Sequence, residues 1–202
     1  MIESMRERIV KNPYDYLFVG TIAFFALSII NIVFAWLGLV CMMTPFILAL
    51  RSHKNLWCRS YCPRSRFFMK IMTPISLKRP IPKALRSPKT RRYIITFFCV
   101  NLMMVVLSTL NVANGSMAPM ASVRFLMFIR VPFQLPQLWE ITASPVVLHL
   151  SYRLYSIMFS STIVGMLLAI LYMPRSWCTI CPVQTMVTDI VKKYEKNCES
   201  CR

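Results

Sequence analysis

Eight cysteines carry the reactive chemistry of this sequence. Six of them fall in close pairs: Cys58/Cys62, Cys178/Cys181 and Cys198/Cys201. Two pairs share a frame, Trp57-Cys58-Arg59-Ser60-Tyr61-Cys62-Pro63 and Trp177-Cys178-Thr179-Ile180-Cys181-Pro182. One pair leaves a four-thiolate site half built, and two pairs brought together complete it. Four thiolates suit a [4Fe–4S] cluster, and a cysteine followed by proline is a feature of ferredoxin-type ligand runs. The same four suit a structural zinc, and Trp-Cys-x-x-Cys also suits the dithiol–disulfide chemistry of a membrane thiol oxidoreductase. Cysteines on the reducing side of a membrane stay thiols and no separate domain is evident for zinc to staple, so iron–sulfur is the preferred reading. Cys198 and Cys201 are read as half of a second cluster completed by a partner, as a return to the same site, or as a solvated thiol pair. Cys41 and Cys99 sit in apolar runs and read as small buried hydrophobes.

The elements that must position these pairs are membrane helices. Of 202 residues 56% are apolar and only 15% charged, and 24 Lys+Arg against 7 Asp+Glu leave a net charge of +17. Mean hydropathy is +0.54. A soluble domain carries about 25% charged residues. A disordered chain lacks the 13 Phe and 15 Met found here. A soluble nucleic-acid binder shares the charge but not the hydropathy, so no nucleic-acid partner is expected. An uncharged run from Tyr16 to Leu50 covers 35 residues, where one span needs about 20. Shorter apolar runs follow at Ile94–Leu110 and Leu154–Pro174.

Charge placement resolves the long run. Segment 51–92 holds 13 basic residues and no acid, whereas 111–154 holds only Arg124, Arg130 and Arg153. By the positive-inside rule the basic segments are cytoplasmic and 111–154 is outside. The chain between Lys11 and Arg51 then crosses an even number of times. The expected fold is an all-α integral membrane protein of the cytoplasmic (inner) membrane, with about four transmembrane helices in two pseudo-repeated hairpins. The first hairpin is Tyr14–Ile30 with Val33–Leu50, turning near Asn31, and a re-entrant hairpin is its competitor. The second is Ile94–Leu110 with Tyr155–Met173. Residues 1–92 and 93–202 form the two halves, both termini lie inside, and Asn12-Pro13 suits the start of the first helix. The first apolar run is too long for the core of a cleavable signal.

Each Cys-Pro frame is followed by a helix-period apolar pattern. Val183, Met186, Val187, Ile190, Val191 and Tyr194 mark one face, and Phe67, Phe68, Ile71, Met72 and Ile75 another. Both predict amphipathic cytoplasmic helices. In the outer segment, Phe125–Ile129 between Arg124 and Arg130 reads as a short interfacial helix or a re-entrant piece.

With these residues in view, the sequence resembles the NosR/NapH-type membrane iron–sulfur proteins. The likeness lies in two Cys-x2–3-Cys-Pro frames, each after a membrane helix and before an amphipathic one. Trp177-Cys178…Cys181-Pro182 with Met186-Val187-Thr188-Asp189 is similar to the family's second motif. The resemblance implies electron transfer at the cytoplasmic membrane, from quinol or in support of a respiratory metalloenzyme. The second frame has two residues between its cysteines where the family usually has three. The ferredoxin domains of many members are missing, which implies a separate ferredoxin-like partner. The alternative from another class is a structural or assembly subunit whose zinc or cluster ties two halves together.

Other residues have a functional and a plain reading. Arg59, Arg64 and Arg175 flank the frames and would tune an anionic cluster, or are ordinary positive-inside residues. Trp57 and Trp177 would shield it from water, or anchor the interface. The basic loop 64–92 suits anionic lipid first and an acidic electron carrier second. His53 and His149 fall on opposite faces and cannot share a haem. His149 with Arg153 and Tyr152 is a candidate quinol pocket at the outer face, or a plain interfacial group. The methionines read as packing rather than a copper site. Asp and Glu are absent from 16 to 139, which argues against a proton-relay pump.

Overall fold

The computed structural model describes residues 16–126, 128–131, 136–139 and 143–199, the side chains of 59 and 196–199 excepted. Asn12-Pro13 and Cys201 therefore lie outside the described residues, as do the side chains of Arg59 and Cys198. The chain is mostly helical. In order it forms α1 (Phe18–Ile30), a 3-10 turn (Ile32–Ala35), α2 (Trp36–Ser52), a π turn (Trp57–Tyr61), and α3 (Pro63–Phe67) extended by a second π turn (Phe68–Met72). After α4 (Lys83–Arg86) and α5 (Pro88–Ala113) come two short strands, β1 (Arg124–Phe125) and β2 (Ile129–Arg130). The chain ends in α6 (Pro145–Leu171), α7 (Ser176–Ile180) and α8 (Pro182–Glu199).

Among the described residues, three helical segments are long and apolar enough to cross a membrane: Ile32–Ser52, Pro88–Ala113 and Pro145–Leu171. The outward surface of α5 fits a lipid solvent, since Phe97, Val100, Met103, Met104, Leu107 and Leu110 are all exposed. The 13 residues of α1 are apolar but short, about 20 Å at 1.5 Å per residue, against a hydrocarbon core of about 30 Å.

The chain does reverse at Asn31, where the backbone opens to φ −151, ψ 131 and the side chain caps Val33 N–H at 2.8 Å. A Cβ on Gly38 would lie 3.3 Å from Phe24 Cε2, and one on Gly20 would lie 3.5 Å from Pro63. Phe24 and Gly38 are equidistant from Asn31, so α1 and α2 are antiparallel, and the start of α1 returns to the first Cys frame. The second pair is antiparallel too: Ser108, late in α5, meets His149, early in α6. Loop residues close the turn at Asn31. Asn31 Nδ2 donates to Trp139 O, Ile32 N–H to Gln137 Oε1 and Trp139 N–H to Ile30 O. The bundle thus has a thiol end and a loop end.

α5 and α6 run past the predicted limits at both ends or at the start. The sequence pattern begins the last span at Tyr155, because Arg153 and His149 look like solvent-facing residues. In the fold both are buried, with His149 fully so. The buried residues of α6 mix polar side chains, His149, Ser151, Arg153, Ser156, Ser160 and Thr162, with Tyr152, Leu154, Tyr155 and Met158.

The expected short helix at Phe125–Ile129 is not helical over its described residues. Arg124 pairs with Arg130 and Phe125 with Ile129 in an antiparallel hairpin that runs down α6. Met120 N–H donates to His149 Nδ1, Arg124 N–H to Ser156 Oγ and Leu126 N–H to Ser160 Oγ. From 149 to 160 the helix rises about 16 Å, so the hairpin lies along about three turns of α6. Backbone N–H groups packed against a helix need polar partners, and the serines of α6 supply them.

Candidate functional site

Each thiol frame is a tight turn closed by its own tryptophan. In the second, Cys181 N–H donates to Trp177 O at 2.9 Å; in the first, Cys62 N–H donates to Trp57 O at 2.8 Å. The first spans one residue more, and the π turn Trp57–Tyr61 absorbs it. Beyond this the frames coincide. Cys62 (φ −65, ψ 111) and Cys181 (φ −57, ψ 122) are both extended, as a residue before proline must be. Proline then opens the next helix. The carbonyl of Cys62 accepts from Arg66 N–H, and that of Cys181 from Thr185 N–H.

Packing brings the frames together. The Phe68 ring is fully buried against α6 at Gly165, where a Cβ would sit 2.7 Å from Phe68 Cε2 and 3.3 Å from Trp177 Cγ. Leu77 N–H donates to Ile170 O and Ser76 Oγ to Tyr172 O, tying the first half to the end of α6. Asn55 Nδ2 donates to Thr188 Oγ1, and the His53 and Tyr194 rings meet at 4.6 Å, tilted by 56°. The apolar faces of both amphipathic helices are therefore used within the protein: Phe68, Met72 and Val187 are buried. Ile75 departs from the expected stripe and is exposed.

The four frame cysteines fall within electrostatic reach of one another: Cys58 of Cys62, Cys178 and Cys181, and Cys181 of Cys62 and Cys178. The Cys178 thiol donates to Ser65 Oγ at 3.6 Å across the frames. Gln184 N–H bonds the Cys181 sulfur. Burial pushes the Cys58 thiol up, and its three neighbours add to this. Burial likewise raises Cys178, opposed by Ser65 and by the charges of Arg175 and Arg64. Cys181 is pushed up to about 11 by burial, against Gln184 N–H and Arg64. A cavity of about 380 Å³ is lined by Asn55, Cys58, Arg175, Cys178, Thr179 and Gln184.

Among the described residues, no three or more His, Cys, Asp or Glu side chains close on a point that could hold a metal ion. Around one zinc, four thiolates at about 2.3 Å lie within about 4 Å of each other. In a four-iron cluster each thiolate takes a different iron, so the sulfurs stand farther apart.

Of the flanking residues, Arg64 and Arg175 do reach the thiols. Arg64 also donates to Ser161 Oγ at 2.8 Å and to Met158 Sδ at 2.7 Å, both on α6. Trp177 packs in the Phe68 cluster, inside the protein. Cys99 is exposed on α5, whereas Cys41 lies within electrostatic reach of Cys62 and Arg64. Its helical register could have signalled this, since α2 feeds directly into the first frame.

No family model, curated protein or solved structure matches this chain.

A second cavity, apolar and about 240 Å³, runs between α5, α6 and α8. Phe97, Asn101, Leu126, Trp177, Cys181 and Arg64 are among its walls, so it joins the tip of the hairpin of β1 and β2 to a frame cysteine. His149 has both ring nitrogens engaged, Nδ1 by Met120 N–H and Nε2 with Ser108 Oγ. The candidate outer pocket on His149 and Arg153 thus lacks a free imidazole edge.

Proposed function

We propose that this chain is a membrane electron-transfer protein or subunit. It holds one [4Fe–4S] cluster on Cys58, Cys62, Cys178 and Cys181, in the manner of the NosR/NapH-type proteins it resembles. The observation that carries the reading is the meeting of two matched Trp-Cys…Cys-Pro frames from distant parts of the chain. The layout is four spans in two pseudo-repeated hairpins, with α1 as the short first span, and the thiol end is cytoplasmic because the basic segments lie there.

When bound, the cluster supplies one-electron transfer. The chain's own residues set its conditions. Arg64 and Arg175 offset the negative charge of the thiolates. Ser65 and Gln184 N–H hydrogen-bond to sulfur, and Phe68 and Trp177 exclude water. The apolar cavity beside Cys181 suits a quinol donor, with Arg64 and Asn101 as its polar contacts. The basic rim of 51–92 steers an acidic, ferredoxin-like acceptor and also seats anionic lipid. Cys198 and Cys201 are held for a second cluster shared with that partner.

Anaerobic purification with iron and sulfide analysis, visible absorption and EPR after dithionite tests the reading. About four irons per chain and a reducible signal support it. Stoichiometric zinc instead identifies the structural staple, and metal-free titratable thiols that cycle to a disulfide identify the thiol oxidoreductase.

A further inference from the structure

Of the three Lys or Arg residues that charge counting leaves on the outer side, Arg124 and Arg153 come together in the fold, and the exposed Arg130 lies beside Arg124 on the hairpin. Arg153 is only 8% exposed, on the inward face of α6. Arg124 lies within electrostatic reach of it, brought there by the bond from Arg124 N–H to Ser156 Oγ. Arg130 stands directly across the hairpin from Arg124, on the same face of the ladder. Nε of Arg124 and Nε of Arg153 are both buried without a hydrogen-bond partner. The carboxylates with described side chains, Asp189 and Glu195, are both on α8, at the thiol end.

A buried guanidinium beside a half-buried one whose Nε is also buried is costly unless an opposite charge joins them. Like charges directly across a strand pair add to that cost. His149 does not relieve it, because Met120 N–H donates to Nδ1 and the ring is a neutral neighbour with its proton on Nε2. A neutral ligand such as a quinone would accept a hydrogen bond and leave the charge uncompensated. A tetrahedral oxyanion satisfies both needs, since guanidinium forks match its oxygens.

We propose that the loop end carries an anion site in which Arg153, Arg124 and Arg130 hold one phosphate group, either of an anionic lipid headgroup or of free phosphate. The site is independent of the thiol frames and of the electron-transfer reading. It ties the hairpin to α6 by charge where the serines tie it by hydrogen bonds.

The test is thermal unfolding of the purified full chain in an uncharged detergent. Inorganic phosphate is added at constant ionic strength in one arm, and short-chain phosphatidylglycerol against phosphatidylcholine in the other. The expected result is a rise in Tm with phosphate or with phosphatidylglycerol, and the arm that responds names the source. Arg153→Gln should remove most of the rise. Arg153→Met should raise Tm in the anion-free protein, because an uncompensated buried charge is gone. A purely structural arginine would lower it. Arg124→Gln serves where either variant fails to fold. Equal responses in the native chain and in these variants, or no response in either arm, overturn the proposal; the first outcome would assign anion binding to the basic thiol end.

Discussion

The Cys178 thiol meets Ser65 Oγ at 3.6 Å, so the second frame of the chain hydrogen-bonds to the helix that follows the first. This contact bridges 113 residues of sequence and sits in the donor set itself. If a cluster is bound there, Ser65 donates to a sulfur whose negative charge grows on reduction. Ser65→Ala should then retain iron but lower the reduction potential by on the order of tens of millivolts. An EPR-monitored redox titration reads this, and Ser65→Thr should restore part of the shift.

Cys41 gives a second expectation. It lies within reach of Cys62 but outside both frames. Cys58→Ser, Cys178→Ser and Cys181→Ser should each abolish the iron content, and Cys99→Ser should leave it unchanged. Cys62→Ser should retain a residual fraction through ligand exchange with Cys41, lost in the Cys41→Ser/Cys62→Ser double variant. Iron per chain and the visible spectrum decide it.

Gly165 is a packing requirement rather than a flexible point. Gly165→Ala would drive a Cβ into the buried Phe68 ring, an overpacking that costs about 1–3 kcal/mol. The variant should lower Tm, and Phe68→Leu in the same chain should recover part of the loss.

The hairpin of β1 and β2 depends on two hydroxyls. Ser156→Ala and Ser160→Ala would each leave a backbone N–H, of Arg124 or Leu126, without its acceptor. Each should cost about 1–3 kcal/mol, read as lower Tm and as faster hydrogen exchange confined to 120–130. Ser161→Ala should leave that exchange unchanged and loosen Arg64 instead.

The raised thiol of Cys181 fixes a pH dependence for the metal-free chain. Its value in the fold, about 11, exceeds the ordinary 9.0, so the folded state holds a proton that the unfolded state releases between those values. Stability should therefore be unaffected at neutral pH and should fall as pH rises from about 9 to about 11. Chemical denaturation across that range checks the sign. Because thiolates are the ligands, loading the site should release protons and be favoured as pH rises.

Much of the architecture was legible in local pattern. The break at Asn31 followed from charge parity, because a basic segment on both sides of a 35-residue apolar run demands a return. The pairing of the two frames followed from their shared Trp-Cys…Cys-Pro residues. What the pattern missed depends on polar groups inside the bundle. Arg153 looks like a helix boundary in sequence, and only the hairpin packed beside it makes it an interior residue. The strands at Arg124–Phe125 and Ile129–Arg130 carry a helix-compatible apolar run, and serines thirty residues later decide their conformation. Cys41 was read as core because its neighbours are apolar, although its turn of α2 faces the first frame.

The π turn at Trp57–Tyr61 has a consequence for how such sequences diverge. The frames differ in length, yet both second cysteines reach their tryptophan carbonyl at nearly the same distance, 2.8 and 2.9 Å. The extra residue is stored as a bulge, and the backbone N–H of the second cysteine keeps its carbonyl partner. A one-residue deletion between Cys58 and Cys62 would turn that bulge into an ordinary helical turn. Length between paired cysteines is then a free variable of this scaffold, and the tryptophan before and the proline after are its fixed points.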